Sequence, residues 1–343
     1  MRRFAFAAVL GFALTGTIAG ALEIEERKVY PGTGEGVLRV LSTADLNVFE
    51  PFITDFQSAR PGITIDYIAA SSTEVHAAIK EGAAFDIVIS SAMDLQFQLA
   101  NDGFAQRYAS AMTEALPDWA KWRSLVFAFT TEPAVAVISR QRFEGLPLPQ
   151  TRQELITILR DHPDRFDRAV GTYDIRTSGL GYLFATQEAR NTDAFWRLTE
   201  VMGRLDPRLY CCSGQMINDV ISGDLAIAYN VLGSYAAQRL AEDGGETMQI
   251  LELEDFGNVM LRTAFIPDAA ENVADAGAFL DALLETGLRE DLTTWVLPPL
   301  DAGQDEDLSS FGPIRLGPAL MVYLDPLNRR AFISSWESAM EQE

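Results

Sequence analysis

Phe85-Asp86-Ile87-Val88-Ile89-Ser90-Ser91 is a short apolar run, rich in β-branched residues, that stops on two hydroxyls. A run of this kind reads as a strand buried on both faces, and residues 94–101 after it take helical spacing. The same unit stands twice upstream. Residues 37–41 form an apolar strand ending at Ser42-Thr43, followed by residues 47–59 with Val48, Phe49, Phe52 and Phe56 on one helical side. Pro61-Gly62 breaks that helix and residues 63–69 give a second strand. Ser71-Ser72-Thr73 then opens a helix with Val75, Ala78 and Ile79 inward, closed by Gly82. Strand, polar tip and helix thus occur three times. Crossovers of this length between strands lacking a polar face imply a parallel sheet covered by helices. In such sheets ligands bind beyond the carboxyl ends of the strands, so the hydroxyl-bearing tips fall on one side.

Downstream, residues 125–130 and 134–138 read as two strands separated by Thr131-Glu132-Pro133, the second carrying the chain into another lobe. Pro147, Pro149 and Thr151 introduce a helix over 152–160 with Leu155, Ile156 and Leu159 inward. Residues 169–173 form a strand that leads through Ser178-Gly179-Leu180-Gly181 into a helix, and residues 195–205 form an amphipathic one. A short helix at 216–221 is closed by Gly223, and the buried strand 225–229 ends at Asn230. Strands near 248–253 and 259–264 are expected to return to the first lobe, which also holds a helix over 273–284. Residues 23–36, with Pro31 and three glycines, read as a mobile start. The fold class is therefore α/β in two lobes: 22–132, then 133–247, then 248–343 returning to the first, with C-terminal helices of which some can cross. Length agrees, since single cores rarely grow past about 250–300 residues.

Arg2-Arg3, the apolar run 4–14 and Ala19-Gly20-Ala21 have the pattern of a secretory signal over residues 1–21. Its apolar stretch is short for a membrane span, and the pattern predicts export to the periplasm. Without that segment 25 basic residues face 49 acidic ones, a net charge of −24. Nucleic-acid binding needs a basic footprint and is excluded by that balance, as is docking on anionic lipid. The charge does not make the ligand a cation, because a buried site sets its own field. Two histidines, His76 and His162, exclude a His-rich metal site, and no cofactor is expected. Cys211 and Cys212 are adjacent and cannot staple distant segments; they either close a ring with each other or stay as thiols.

The run 85–91, the set Ala136-Val137-Ile138, Phe143-Glu144-Gly145-Leu146-Pro147 and Thr151, the stretch 222–229 (Ser-Gly-Asp-Leu-Ala-Ile-Ala-Tyr), and Pro267-Asp268-Ala269-Ala270 with Ala276, Phe279 and Leu280 resemble, in this order, bacterial extracellular solute-binding proteins of ABC transporters. The nearest branch holds ferric-ion, thiamine, phosphonate and sugar-phosphate binders. The resemblance implies a type II periplasmic binding protein fold: two α/β lobes, two hinge strands and a ligand cleft between them. It also implies a monomer that performs no chemistry and presents its solute to an ABC permease, or, in another role, feeds a membrane sensor kinase. The ferric branch has two adjacent tyrosines after the strand corresponding to 225–229. This chain has Asn230-Val231-Leu232-Gly233-Ser234-Tyr235, a single tyrosine, which weakens the iron alternative. Some proteins of this fold, the thiaminases, use a cleft cysteine as nucleophile; here a structural or disulfide-linked Cys211-Cys212 pair is the favoured reading.

The candidate ligand contacts are Ser42, Thr43, Ser72, Thr73, Ser90, Ser91, Arg176, Ser178, Gly179, Asn230 and Tyr235. The hydroxyls precede helices whose free N–H groups and dipole suit an oxyanion, so a small anionic organic solute is expected. Serine and threonine are also ordinary N-caps, each stabilising a helix by about 1 kcal/mol without any ligand. Arg176 offers a bidentate donor, with an ordinary surface arginine as the competing reading. Glu74 with His76 reads as a solvated helix face, and Trp119 with Trp122 as packing.

Overall fold

The computed structural model describes residues 22–289, 297–300 and 313–342, so the signal segment expected at 1–21 lies outside the described residues. The chain begins with β1 (Glu26–Tyr30), β2 (Val37–Ser42), α1 (Leu46–Ala59), β3 (Thr64–Ala69), α2 (Ser72–Lys80), β4 (Ile87–Ser90) and α3 (Met93–Asn101). It continues through α4 (Ala111–Ala115), β5 (Lys121–Trp122), β6 (Val126–Ser139), α5 (Arg152–Asp161), α6 (Pro163–Phe166), β7 (Val170–Tyr173) and α7 (Gly179–Asn191). Then come α8 (Ala194–Gly203), β8 (Arg208–Tyr210), α9 (Ser213–Ser222), β9 (Ile227–Leu232), α10 (Gly233–Arg239), β10 (Met248–Leu251), β11 (Val259–Phe265), α11 (Val273–Gly287) and α12 (Pro326–Met340).

The strands run β1-β3-β2-β4-β11-β6-β9-β7-β8. β3, β2 and β4 are parallel, as are β9, β7 and β8, and both sets have the helical crossovers such pairing requires. β6 joins them. Its residues from Phe127 to Pro133 pair antiparallel with β11, and those from Ala134 to Ile138 pair antiparallel with β9. The two strands expected at 125–130 and 134–138 are thus one continuous strand. Pro133 sits where the partner changes from β11 to β9, a position at which a strand tolerates a residue without an N–H.

Two further expectations change. The start of the chain is not a loose lead-in: β1 pairs with β3 from Glu26↔Ala69 to Tyr30↔Ile65, and Tyr30 is buried. β10 does not return to the first sheet. It pairs with Ser139 to Ala136 of β6 on the second, and only β11 comes back, against β4. The pairing of β10 with the far half of β6 buries Met248 and Leu251, which decides its placement.

The larger apolar cluster covers the first sheet and runs on to one face of the second. The smaller one packs the opposite face of the second sheet, where α12 lays Phe332, Trp336 and Met340 against residues of α8. Within the first, α1 presents Phe52 and Phe56 edge-on to Phe279 of α11, each pair with ring centroids 5.0 Å apart. Truncating a buried ring removes its transfer energy and leaves a cavity. Phe279→Ala is therefore expected to lower unfolding stability by about 3–5 kcal/mol, read from urea denaturation.

Asp94 in the first turn of α3 is buried, and burial pushes its carboxyl up to about 7 against the opposing pull of nearby backbone N–H groups and Arg329. A group whose folded pKa lies above its unfolded value destabilises the fold progressively as pH rises between the two. Asp94→Asn should accordingly be more stable than the parent above pH ~7, with the advantage fading as pH falls to about 4. Equal pH profiles for the two proteins would show that Asp94 does not titrate in this window.

Candidate functional site

Six strands end at one cavity of about 350 Å³. From the first sheet come Thr43 and Asp45 after β2, Ala70 and Ser71 after β3, and Ser91 after β4. From the second come Thr177 and Ser178 after β7, Cys211 and Cys212 after β8, and Tyr235 after β9. The helices that follow open at the same place, with N-caps Asp45 (α1), Ser71 (α2), Ser178 (α7) and Cys212 (α9). Each leaves first-turn N–H groups without intrahelical partners, which gives the cavity several donor-bearing, dipole-positive ends.

The two sides touch across the cavity. Thr73 Oγ1 donates to the Thr177 carbonyl (3.0 Å), Gly179 N donates to Ser72 Oγ (3.0 Å), and Asp45 N donates to the Tyr235 hydroxyl (3.2 Å). At Gly179 a Cβ would come within 2.7 Å of the Leu95 side chain and 2.8 Å of Ser72 Oγ, so this approach requires glycine. The cavity is closed over rather than splayed.

Of the residues singled out from the sequence, Thr43, Ser72, Ser91, Ser178 and Tyr235 line the cavity together. Ser178 is also the N-cap of α7, accepting from Gly181 N. Ser42 and Ser90 lie at their strand ends but are buried, accepting from Ala44 N and Ala92 N, and do not line it. Thr73 and Gly179 act at the rim, in the bridges above. Arg176 is turned away: its guanidinium forks onto both Asp174 oxygens (2.8 Å each), bonds Glu341, and lies over the Trp336 ring. Asn230 is not at a strand tip either, because β9 continues to Leu232. The β6–β9 register slips there, Asn230 has φ of +63°, and its amide reaches Glu188 inside the second lobe.

Residues the sequence reading passed over supply the charge. Glu25, Glu26 and Asp45 line the first-sheet wall, whereas none of the described lining residues is Lys, Arg or His. Burial and the neighbouring Asp45, Glu26 and Glu23 push the Glu25 carboxyl up; burial and Glu26 do the same to Asp45, against Arg262 and Tyr235. Burial also raises the Tyr235 phenol, with Asp45 adding to the effect. The described residues of the second-sheet wall are uncharged: Ser213 exchanges a hydrogen bond with the Tyr173 hydroxyl and accepts from Leu232 N, Gln215 and Asn218 stand beside it, and Cys211 is joined to Cys212 by a disulfide. Beneath the cavity Arg262 and Glu132 form a fully buried ion pair. The signal for Glu25 and Glu26 was absent from periodicity, since their place depends on β1 pairing with β3.

Comparison with known proteins agrees with this architecture. A family model described as bacterial extracellular solute-binding protein matches residues 38–290. The substrate-binding protein of an ABC transporter from Agrobacterium tumefaciens is 31% identical over 92% of this chain and 98% of its own, with a TM-score of 0.85. AfuA from Actinobacillus pleuropneumoniae, solved with fructose-6-phosphate, covers 90% of this chain and 100% of its own at 16% identity and a TM-score of 0.71. Iron-bound HitA from Pseudomonas aeruginosa covers 89% and 99% at 13% identity and 0.62, and these two likenesses speak to fold alone. Sequence comparison with curated proteins finds no match. With the family model spanning most of the chain and a solved relative above 30% identity, this chain belongs to the bacterial extracellular solute-binding protein family.

Proposed function

We propose that this protein is exported through residues 1–21 and encloses a small polar organic solute between its lobes for delivery to an ABC permease. The observation that carries the reading is the cavity walled by strand ends of both sheets and bridged by three hydrogen bonds. The closing units are residues 22–132 with β11 and α11, and residues 133–247 with β10 and α12. Binding both walls favours the closed form over the open one, which is how a hinge protein converts affinity into a shape a partner can recognise.

The walls are unlike, and their chemistry narrows the solute. The starts of α7 and α9, with Ser178 and Ser213, offer N–H and hydroxyl donors to an oxyanion such as phosphonate, phosphate or carboxylate. Glu25, Glu26 and Asp45 repel one another and would be relieved by a cationic or hydroxyl-bearing group. The solute that satisfies both walls carries an anionic end and an ammonium- or hydroxyl-rich end. Thr43, Ser72, Ser91 and Tyr235 contact it directly, while Ser42, Ser90, Thr73 and Gly179 hold the loops that do so. Ferric ion fits less well, because a buried phenol whose ionisation is disfavoured is a poor source of the phenolate that iron needs.

The test is a thermal-shift screen of the refolded protein with ethanolamine phosphate, sugar phosphates, phosphonates, simple carboxylates, thiamine and ferric ion. A bound compound at about 100 times its Kd should add roughly 2.7 kcal/mol. Stabilisation by a compound bearing both groups, lost in Ser178→Ala and weakened in Asp45→Asn, is the expected result. A shift with ferric ion alone, lost in Tyr235→Phe, would replace this reading.

The acidic wall gives a second expectation. Carboxyls raised by burial and like charge weigh against the ligand-free fold above their unfolded pKa, so Glu25→Gln and Asp45→Asn should raise its melting temperature at pH 7. Affinity for an ammonium-bearing compound should fall as pH is lowered and these groups protonate. A lower melting temperature in both variants, with affinity independent of pH, would mean that the wall is structural.

A further inference from the structure

Cys211 and Cys212 occupy the turn between β8 and α9 on one wall, and Glu25 reaches them from the chain entering β1 on the other. Both sulfurs and one Glu25 carboxylate oxygen lie within 4.8 Å of one another, and this is the one such cluster of Cys, His or acidic ligand atoms among the described residues. The Glu25 side is held by the bond from Glu25 N to the Ala69 carbonyl (3.0 Å). The cysteine side is held by α9, whose N-cap is Cys212 and whose Ser213 hydroxyl is bonded to Tyr173 and Leu232. The two cysteines are joined, and disulfide sulfurs are neutral and poor ligands. The same atoms as thiolates are strong ones, and a helix N-terminus favours the thiolate form.

We propose that Glu25, Cys211 and Cys212 form a redox-gated site for a thiophilic divalent cation of the zinc class in the wall of the cleft. A dithiol reductant opens the Sγ–Sγ bond by thiol–disulfide exchange: its two electrons and two protons pass to Cys211 and Cys212, and it leaves as its own disulfide. Cation entry then displaces both thiol protons to solvent. Two thiolates at about 2.3 Å and one carboxylate oxygen at about 2.0–2.2 Å make three protein ligands, leaving a fourth position open to water or to a group of the solute. Two ligands come from one side of the cleft and one from the other, so the cation also clamps the closed form. Reoxidation of the pair removes both sulfur ligands and releases it. The site shares Glu25 with the acidic wall of the cleft, while its two sulfur ligands take no part in the proposed solute contacts.

The experiment titrates the full mature chain with Co²⁺ as a spectroscopic probe and with Zn²⁺, before and after reduction by a water-soluble phosphine and removal of excess reductant. The phosphine takes the oxygen of one water, and the two sulfurs take its hydrogens. Reduced protein is expected to bind one equivalent of Co²⁺ with a thiolate-to-metal charge-transfer band, displaced by Zn²⁺, and to melt at a higher temperature when loaded. Oxidised protein shows neither effect. Cys211→Ser and Cys212→Ser each abolish the band, and Glu25→Gln keeps it but weakens affinity by about tenfold or more. No band in reduced protein overturns the proposal. So does undiminished affinity in Glu25→Gln, which would mean adjacent thiols chelating by themselves, and so does equal binding by the oxidised form, which would remove the gate.

Discussion

Glu132 and Arg262 are both shielded from water where β6 passes from one sheet to the other, with Arg262 Nε and Nη2 donating to the two carboxylate oxygens at 2.8 and 3.1 Å. Taking two charges out of water is costly, and the Coulombic gain offsets this only when the geometry is good and the remaining lone pairs are used. Those of Glu132 are used, since Thr130 Oγ1 and Ser234 Oγ also donate to it, whereas Arg262 Nη1 is buried without a hydrogen-bond partner among the described residues. The carboxylate therefore ties β6, β11 and the first turn of α10 at one point. The elements it joins are among those that place the cleft. β11 brings the chain back beside β4, β6 carries it outward, and α10 supplies Tyr235. A charge pair that loses one member leaves the other stranded, so such a junction resists sliding or splaying in a way an apolar contact does not.

The ion pair also acts on the groups of the cleft above it, against the larger effect of burial. Arg262 is the positive charge that draws the Asp45 carboxyl down, opposing burial and Glu26, and it acts in the same sense on the Tyr235 and Tyr173 phenols. The described lining residues bring three carboxylates and no cation. The cavity's positive character comes instead from helix N-termini, which are fixed dipoles and do not titrate. In the proposed function, such a cleft discriminates by arrangement, with the acidic groups on one wall and a solute that must match both walls when the lobes close.

Much of this was legible along the chain. The alternation of short apolar strands with helices carrying Val48, Phe49, Phe52 and Phe56, or Val75, Ala78 and Ile79, follows from local periodicity, and the described burial agrees with it. The hydroxyls at Thr43, Ser72, Ser91 and Ser178 could be singled out because helix starts and strand ends carry recognisable chemistry, and all four line the cavity. Arg176 was misplaced although its partner Asp174 stands two residues away, because the third member, Glu341, arrives from the far end of the chain. Asn230 was misplaced because a slip in strand register, which leaves no mark on the sequence pattern, points its amide at Glu188 instead of the cleft.

The sequence by itself determined the fold class, the family and the strand tips of β2, β3 and β4, since each rests on order and spacing within some tens of residues. Tertiary structure alone decided that β6 is one strand shared by two sheets, that β10 stays on the second, and that residues 25, 26 and 45 face residues 211 to 215 across a cavity. The reason is physical. Periodicity reports which face of an element is buried, but the electrostatics of a cleft come from side chains nearly two hundred residues apart, brought together only when β1 pairs with β3 and the two walls close on each other.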